Sequence, residues 1–397
     1  MMEVQKYLKE NGLEKLQQEF KIDVTDYHGF VVLNYNQIES PRFHPVVDEC
    51  RALILEKETW SVLARSFDRF YNWQESVSDK LSPLLQRVSD YKELFLEFDL
   101  NEAVVQEKVD GSLLSIWKYK GEWHASTRKR AYAEGQTTWG NTFADVFWEV
   151  ANKINLKEKL DQEELEGFTV VFEMVSPETR VVTPYQEKDI ILIGIRNNMT
   201  GRELSNYDLD CLAHDIGVKR PKKFYIKGVE DLLSLVNGME SMQEGVVLVR
   251  ESVNKSHWRV KVKNPKYLAI SNMRNNGVIS PKRILLLIRE NDHHEFLKYF
   301  PEDKKYFDYI EKEYKEIVYR ISETWEKVKG IENQKEFALT MMPLTTYSFE
   351  KGVLFAARKN NTSIDHELNN IDVKRIEESI GLKKKFSDNF NINMEED

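Results

Sequence analysis

The sequence of 397 residues predicts an α+β fold with largely antiparallel sheets, followed by an all-α C-terminal domain. Short runs rich in β-branched and aromatic residues recur between residues 30 and 262, without the regular strand–helix alternation of a parallel sheet. Beyond about residue 268 these runs stop and apolar residues recur at intervals of three and four. One hydrophobic core rarely supports more than roughly 250–300 residues. We therefore predict two domains, residues 1–268 and 269–397.

Each element of the first domain is predicted from a local pattern. Apolar residues at helical spacing predict a helix over residues 1–20, and further helices over 82–98, 143–165 and 228–237. The β-rich runs predict strands at 30–35, 51–55, 62–63, 103–107, 113–119, 168–174, 190–195, 245–249 and 258–262. Lys120-Gly121 lies between two of these runs and predicts a hairpin turn.

The second domain is predicted to be helical. Large apolar residues recur at intervals of three and four between Phe307 and Val328, which is typical of the core face of a long helix. Residues 284–288 and 364–380 also show helical spacing. Asn, Pro and Gly residues interrupt the pattern at 265–280, where we place the domain boundary.

Composition excludes several classes of protein. The formal net charge of −9 argues against a protein that coats nucleic acid through bulk electrostatics, although it allows a local basic cleft. No run of about 18 apolar residues and no signal-peptide pattern is present, so no membrane association is expected. Only two cysteines occur, Cys50 and Cys211, which favours a reducing cytoplasm and excludes a cysteine-built zinc site.

The strongest candidate for chemistry is a lysine two residues before an Asp-Gly pair, at residues 108–111. A lysine that takes a nucleotide onto its own amine divides one difficult phosphoryl transfer into easier steps. Alone, the tetrapeptide is more often a surface turn. Its weight comes from Phe172-Glu173, Glu244-Gly245 and Lys261-Val262-Lys263, which follow in that order.

These downstream residues supply what such a lysine needs. Lys261 and Lys263 lie two apart on a predicted strand and point to the same face, where they can offset phosphate charge. Glu173 and Glu244 adjoin predicted strands and are candidates for metal and ribose contacts. Gly111 is expected to let the backbone approach a ligand closely. Taken singly, Glu173 could form a structural ion pair, and Lys261 and Lys263 could be edge-strand lysines that prevent aggregation. These explanations do not account for the ordered set of motifs.

On these residues the chain resembles the RNA ligase 1 family of T-even bacteriophages, within the ATP-dependent covalent nucleotidyltransferases. The family's ordered motifs match residues 108–113, 172–177, 244–247 and 261–263. Family-specific stretches also match at 49–52, 65–72, 180–182, 185–187 and Tyr267, so the resemblance covers roughly residues 25–268. One departure is Arg69, where the phage pattern has lysine; arginine keeps the charge but offers a planar fork.

The resemblance implies a role for each matching residue. Lys108 is expected to be the adenylated nucleophile, Asp110 and Glu173 to hold the ribose and orient the lysine, and Glu244 to bind a metal ion. Lys261 and Lys263 are expected to grip the α-phosphate. The nucleotide pocket is expected to include Arg51, Arg69, Tyr71, Gly111, Arg128 and Val246. The implied co-substrate is ATP, with Mg²⁺, or Mn²⁺, as the metal.

The resemblance also implies an activity: joining of RNA 3′-hydroxyl and 5′-phosphate ends through lysyl-AMP and adenylated RNA. Single-stranded RNA or a nicked tRNA anticodon loop would be the substrate, and an RNA end-healing kinase/phosphatase the functional partner. A monomer in the cytoplasm of a phage-infected host is expected. Two alternatives stay open: a DNA ligase or capping guanylyltransferase, which usually append an OB-fold, and a catalytically inert RNA-binding or tRNA-sensing protein.

Overall fold

The structure is a computed structural model and describes residues 1–73, 102–253, 256–274, 279–290 and 293–390. The chain divides into two compact units, Met1–Ser271 and Asn272–Asp397. The first unit contains three sheets with flanking helices, and the described part of the second is helical. This confirms the predicted α+β class with a helical C-terminal region. The helix predicted over 82–98 lies outside the described residues.

The first sheet lies at the N-terminus and has the antiparallel order β1-β2-β3-β4. Its strands are β1 (Ile22–Tyr27), β2 (Phe30–Tyr35), β3 (Leu53–Glu56) and β4 (Val62–Arg65), with helices α1 (Glu3–Phe20) and α2 (Pro45–Glu49) beside them. The apolar face of α1 packs on the sheet through Val4, Leu8, Leu16 and Phe20. The strand predicted from residue 51 begins only at Leu53, because Ala52 has a positive φ of 53°.

The second sheet is fully antiparallel, in the order β10-β9-β7-β8. It consists of β7 (Ser112–Tyr119), β8 (Glu122–Ser126), β9 (Phe168–Val175) and β10 (Asp189–Asn197). Lys120 and Gly121, both with positive φ, form the predicted turn between β7 and β8. The helix predicted over 143–165 is two helices, α3 (Phe143–Lys153) and α4 (Leu156–Gln162), because Asn155 adopts the left-handed conformation between them.

The third sheet has the order β11-β6-β12-β13-β5. Its strands are β5 (Tyr71–Asn72), β6 (Ala103–Glu107), β11 (Lys223–Phe224), β12 (Gly245–Arg250) and β13 (Trp258–Lys263), and only β5 pairs in parallel. The chain leaves this sheet at the end of β6 and enters the second sheet at β7. Residues 108–111 are therefore the crossing between two sheets.

Helices complete both units. The first contains α5 (Asn206–Ile216), α6 (Val229–Gly238) and most of α7 (Pro265–Arg274). The second contains α8 (Pro281–Glu290), α9 (His293–Tyr299), α10 (Lys304–Val328), α11 (Gln334–Met341), α12 (Ser348–Asn360), α13 (Ile364–Asn369), α14 (Val373–Ile380) and α15 (Leu382–Phe390). Helix α10 buries Phe307, Ile310, Ile317 and Ile321, which confirms the predicted core face. Among the described residues, no helix has the length and hydropathy to cross a membrane.

Candidate active site

The loop of residues 108–111 is held closely between the two sheets it connects. The Lys108 amide donates to the Gly245 carbonyl at 2.9 Å. A Cβ atom on Gly245, whose φ is +138°, would lie 2.2 Å from the Val262 carbonyl oxygen. A Cβ atom on Gly111 would lie 2.4 Å from the Met174 carbonyl oxygen of β9. Both glycines are therefore required by close backbone packing. The group that approaches Gly111 here is β9, and its expected contact with a nucleotide stays a prediction.

The amine of Lys108 lies in a row of alternating charges. Its Nζ atom is 2.6 Å from Glu244 Oε2, and Glu244 Oε1 is 3.0 Å from Lys263 Nζ. Antiparallel pairing of Gly245 with Lys263 places the carboxylate and the second lysine side by side at the sheet edge. The Glu244 side chain is only 7% exposed. The structure thus brings together three residues that the sequence analysis selected separately.

The charges in this row determine their protonation. Burial lowers the pKa of Lys108, but Glu244 and Glu173 outweigh burial and raise it above its ordinary value. Burial raises the pKa of Glu244, yet Lys108 and Lys263 hold it below its usual range. Lys108 is therefore a charged ammonium in this state. Attack on a phosphate requires that the ion pair opens and the proton leaves.

Glu173 lies on β9, on the side of the site formed by the second sheet. Its carboxyl group has no hydrogen bond or ion pair with the described residues, and its Cγ lies 3.1 Å from the position of a Cβ on Gly111. Burial raises the pKa of Glu173 to about 7, and Glu244 and Asp110 act in the same direction against Lys108 and Arg51. Its side chain is half-buried, and Lys108 and Arg51 lower its pKa without reversing the effect of burial. Its free acceptors are suited to a ligand hydroxyl or a cation.

Asp110 is buried and binds to protein groups on both carboxylate oxygens. Oδ2 accepts the backbone amides of Val182 at 2.9 Å and Thr183 at 2.7 Å. Oδ1 accepts the Tyr267 hydroxyl at 2.7 Å. Asp110 therefore fixes the loop that carries Lys108, which is consistent with an orienting role. Its expected contact with a ribose stays a prediction.

Lys261 and Lys263 project from alternate positions of β13. The Lys261 ammonium lies 5.2 Å from the centre of the Phe70 ring, and that of Lys263 lies 5.8 Å from the Tyr267 ring. Val246 is fully buried in β12, opposite Glu107 and Val262. Val246 therefore supports the sheet with its side chain, and only its backbone is placed to meet a ligand.

The three predicted phosphate-binding arginines, Arg51, Arg69 and Arg128, lie in two different surroundings. The electrostatic neighbours of Arg51 include Arg128 and Glu173, and burial lowers the pKa of Arg51. Arg69 instead lies over the rings of Tyr35 and Tyr71, with centroid distances of 4.2 and 5.2 Å. The structure thus places Arg51 near both Arg128 and Glu173, and Arg69 on the aromatic pair of Tyr35 and Tyr71.

Tyr71 is buried and its hydroxyl is bound to protein. It accepts the Phe43 amide at 2.7 Å and donates to the Asp48 carboxylate. Parallel pairing of Tyr71 with Val260 places it next to the strand of Lys261. Its contact in this structure is therefore with the protein, and its assignment to the nucleotide pocket stays a prediction.

A buried ionic network that no sequence pattern predicted anchors residues 65–71. Arg196 on β10 is 1% exposed and donates to both carboxylate oxygens of Asp68 at 2.9 Å. Ser256, just before β13, donates to the same carboxylate at 3.2 Å. The signal was available, because an arginine at the end of an apolar strand needs a buried partner. The sequence did not indicate which residue is that partner.

The site fits a divalent ion that arrives with a nucleotide. Among the described residues no group of three or more His, Cys, Asp or Glu is arranged to hold a metal. Mg²⁺, however, usually binds one or two carboxylates together with substrate phosphates. The Glu173 carboxylate oxygens have no hydrogen bond among the described residues. Glu244 becomes available as a metal ligand when Lys108 and Lys263 move away from it. The residues fit Mg²⁺ or Mn²⁺ on this basis.

Comparison with known proteins gives a consistent set of relatives. A family model described as RNA ligase matches residues 49–267, more than half of the chain. A putative bifunctional polynucleotide kinase/RNA ligase of Autographa californica nuclear polyhedrosis virus is 33% identical over 314 residues, which cover 76% of this chain and 42% of the relative. An RNA ligase of Rhodothermus phage RM378 is 26% identical over 289 residues, covering 62% and 65%. The chain thus spans about half the length of the curated relatives it matches.

Among solved structures, a Naegleria gruberi RNA ligase mutant with ATP and Mn aligns with a TM-score of 0.36 at 14% identity, covering 46% of this chain and 55% of that one. The same organism's RNA ligase with PPi aligns with a TM-score of 0.34 at 16% identity, covering 42% and 50%. The family model covers all four motifs, from the stretch before Lys108 to Tyr267, and confirms the resemblance seen in the sequence. The chain belongs to the RNA ligase family.

Proposed function

We propose that this protein is an ATP-dependent RNA ligase that joins a 3′-hydroxyl to a 5′-phosphate through lysyl-AMP and adenylated RNA. One observation carries the proposal: Lys108, on the crossing between two sheets, contacts Glu244 at 2.6 Å, and Glu244 also contacts Lys263 at 3.0 Å. The nucleophile, a proton acceptor and a phosphate-binding cation are therefore adjacent before any ligand binds.

In the first step, the Lys108 amine attacks the α-phosphorus of ATP. A P–N bond forms, the P–O bond to pyrophosphate breaks, and pyrophosphate leaves. Glu244, 2.6 Å from the amine, is placed to receive the proton. Lys261 and Lys263 offset the negative charge that develops on the phosphate oxygens. A bound Mg²⁺ would supply further charge neutralisation at the phosphates.

In the second and third steps the same cations act again. The 5′-phosphate of RNA attacks the phosphorus of lysyl-AMP, the P–N bond breaks, and the proton returns to the Lys108 amine. The RNA 3′-hydroxyl then attacks the 5′-phosphorus of the adenylated end and a phosphodiester P–O bond forms. The P–O bond to AMP breaks, AMP leaves with the electron pair, and the hydroxyl proton passes to solvent. Charge develops on phosphate oxygens in each step, so one cationic site serves all three.

The substrate and setting are part of the proposal. We assign the chain to single-stranded RNA or nicked tRNA anticodon loops, in the cytoplasm of a phage-infected host, acting as a monomer. The viral relative carries polynucleotide kinase and RNA ligase in its name, which supports functional pairing with an RNA end-healing kinase/phosphatase. The division of work is residues 1–268 for adenylylation and 269–397 for RNA specificity.

The helical second unit favours this function over the related ones. DNA ligases and capping guanylyltransferases usually append an OB-fold of five short strands after the last motif. From Asn272 onward, the described residues form helices and no strand. The structure does not support the inert RNA-binding alternative, because Lys108, Glu244 and Lys263 are all present and in contact.

The test is incubation with α-labelled ATP or, separately, α-labelled GTP, with Mg²⁺ and without RNA, followed by a denaturing gel. We expect a labelled band with ATP only. A band with GTP would assign capping chemistry instead. No band with either nucleotide, from folded protein, would leave the inert RNA-binding alternative.

A further inference from the structure

Trp139 is the exception among the tryptophans of this protein. The chain has eight, and all of them lie in the described residues. Seven are buried or partly buried, whereas Trp139 is 66% exposed. An indole ring is large and apolar, and leaving it in water forgoes the free energy of its burial. Its exposed ring is therefore available to a ligand that presents a flat apolar face.

The turn that presents Trp139 is closed by backbone and side-chain hydrogen bonds. An isolated bridge between Gln136 and Thr142 closes it. Within it, the Thr137 amide donates to the Asn141 carbonyl at 2.7 Å, and the Trp139 amide donates to Thr137 Oγ1 at 3.2 Å. Gly140 completes the turn with a φ of +91°. A side chain presented in this way loses little backbone entropy when a ligand binds.

Hydrogen bonds connect this turn to the nucleophile loop, residues 108–111, which carries Lys108. Thr138 donates to the Glu178 carbonyl through its Oγ1 atom at 2.8 Å, and Asn141 donates to the Glu178 carboxylate at 3.4 Å. Four residues further along the chain, the Val182 amide donates to Asp110 at 2.9 Å. The segment 178–183 thus carries the Trp139 turn at one end and binds the loop of Lys108 at the other.

Three consecutive basic residues, 128–130, precede this turn in the chain, after Thr127. Two of them form ion pairs, Lys129 with Asp23 at 3.0 Å and Arg130 with Glu134 at 3.9 Å. Arg128, the first of the three, is an electrostatic neighbour of Arg51, which also faces Glu173. A backbone phosphate held here and a base held at the turn match the aromatic-plus-cationic surfaces that bind single-stranded nucleic acid.

We propose that Trp139 is a stacking surface for a nucleobase of the single-stranded RNA end that is joined at this site. The proposal rests on the proposed function for the identity of the ligand. Stacking recognises the flat face of a base and tolerates any sequence. Trp139 then contributes to RNA affinity in the second and third steps, and not to attack of Lys108 on ATP.

The test compares Trp139→Ala with Trp139→Phe and with Tyr207→Ala as the matched control. Tyr207 is 76% exposed on the same unit but lies on a different element, α5. Binding is measured by fluorescence anisotropy with a 5′-phosphorylated, 3′-fluorescein-labelled single-stranded RNA without ATP. Trp139→Ala should weaken binding about tenfold, Trp139→Phe should restore most of it, and Tyr207→Ala should match the wild type.

An RNA that lacks one base identifies the stacked position. Abasic substitution at that position should weaken binding to the wild type but add no further loss in Trp139→Ala, as expected for two groups in contact. Equal RNA affinity of Trp139→Ala and wild type would overturn the proposal. So would a loss of thermal stability that accounts for the effect.

Labelling with α-labelled ATP separates this proposal from the proposed function. If the wild type binds RNA through Trp139 but forms no lysyl-AMP, the ligase proposal fails and the stacking surface stands. If lysyl-AMP forms and Trp139→Ala binds RNA normally, the ligase proposal stands and the stacking surface fails. Gly140→Ala, which has open space at the Cβ position but strains φ, should reproduce a part of the Trp139→Ala defect.

Discussion

The two carboxylates of the site occupy opposite sides of it and are in opposite states. Glu244, at the edge of the third sheet, contacts two lysines, and its pKa lies below the usual range. Glu173, on the second sheet, has no hydrogen bond with the described residues, and burial raises its pKa to about 7. The results differ because Glu244 is hydrogen-bonded to Lys108 and Lys263, whereas Lys108 and Arg51 act on Glu173 without outweighing the effect of burial on its pKa. Glu244 holds Lys108 and Lys263 together in the ligand-free site, and the Glu173 carboxylate is available to bind a ligand.

The largest effect is expected from removal of the Lys108 amine. Lys108→Ala should abolish lysyl-AMP formation, because no other amine contacts Glu244 from the nucleophile loop. The measurement is the gel assay with α-labelled ATP. Lys108→Arg serves as control, since it keeps the positive charge beside Glu244 and should fold normally yet fail to label. Residual labelling of either variant would identify a different nucleophile.

Glu244→Gln should lower both stability and activity. It leaves Lys108 and Lys263 facing each other without the shared counter-charge, and breaking a buried pair on one side costs up to about 3 kcal/mol. Urea unfolding without ligand measures the stability, and ATP labelling measures the activity. Unchanged stability would show that the lysines reach solvent and that Glu244 does not hold the resting site.

Glu173→Gln should separate activity from stability. Because the carboxyl group has no protein partner, the free energy of unfolding should change by no more than about 0.5 kcal/mol. Labelling with ATP should fall about 100-fold, as is typical when one polar contact to a reacting group is lost. Loss of stability comparable to that of Glu244→Gln would contradict the comparison, since it would assign Glu173 a structural partner.

Asp48 extends the comparison to a buried carboxyl away from Lys108, with the smallest expected effect on ATP labelling. Burial raises its pKa to about 7, although the hydrogen bond from Tyr71 opposes the shift. The folded protein then binds this proton more tightly than the unfolded chain, so the free energy of unfolding falls as pH rises from about 4 to about 7. Each unit of pKa shift corresponds to about 1.4 kcal/mol.

Asp48→Asn keeps an acceptor for Tyr71 but removes the ionisation. The variant should therefore show a flatter dependence of the urea midpoint on pH between about 4 and about 7 than the wild type does. Parallel curves for the two proteins would show that Asp48 ionises in the folded state without cost.

Much of the fold was predictable because the patterns concerned are local. The hairpin at Lys120-Gly121 and the core face of α10 follow from turn chemistry and from helical spacing. Strands β1 and β8 were missed because aspartate, glutamate, histidine and serine alternate with the apolar residues in these short runs. Helix α5 was also missed. The break at Asn155 was missed because a left-handed residue leaves the apolar period almost intact.

The candidate site was predicted as a set of residues but not as an arrangement. The ordered motifs selected Lys108, Glu173, Glu244 and Lys263, and the family match covers all of them. That Glu244 contacts both lysines while Glu173 contacts neither depends on the register of β12 and β13 and on the path of the loop. The Asp68–Arg196 network also joins residues 128 positions apart, beyond any local pattern.

The sequence by itself therefore determined the fold class and the family and selected the candidate reactive residues, because these are properties of residue type, spacing and order. Only the tertiary structure decided which charges meet, which glycines lie against backbone and which tryptophan faces water. Pairing and burial depend on distances between segments far apart in the chain, and a shift of a few ångströms reverses the direction of a pKa change.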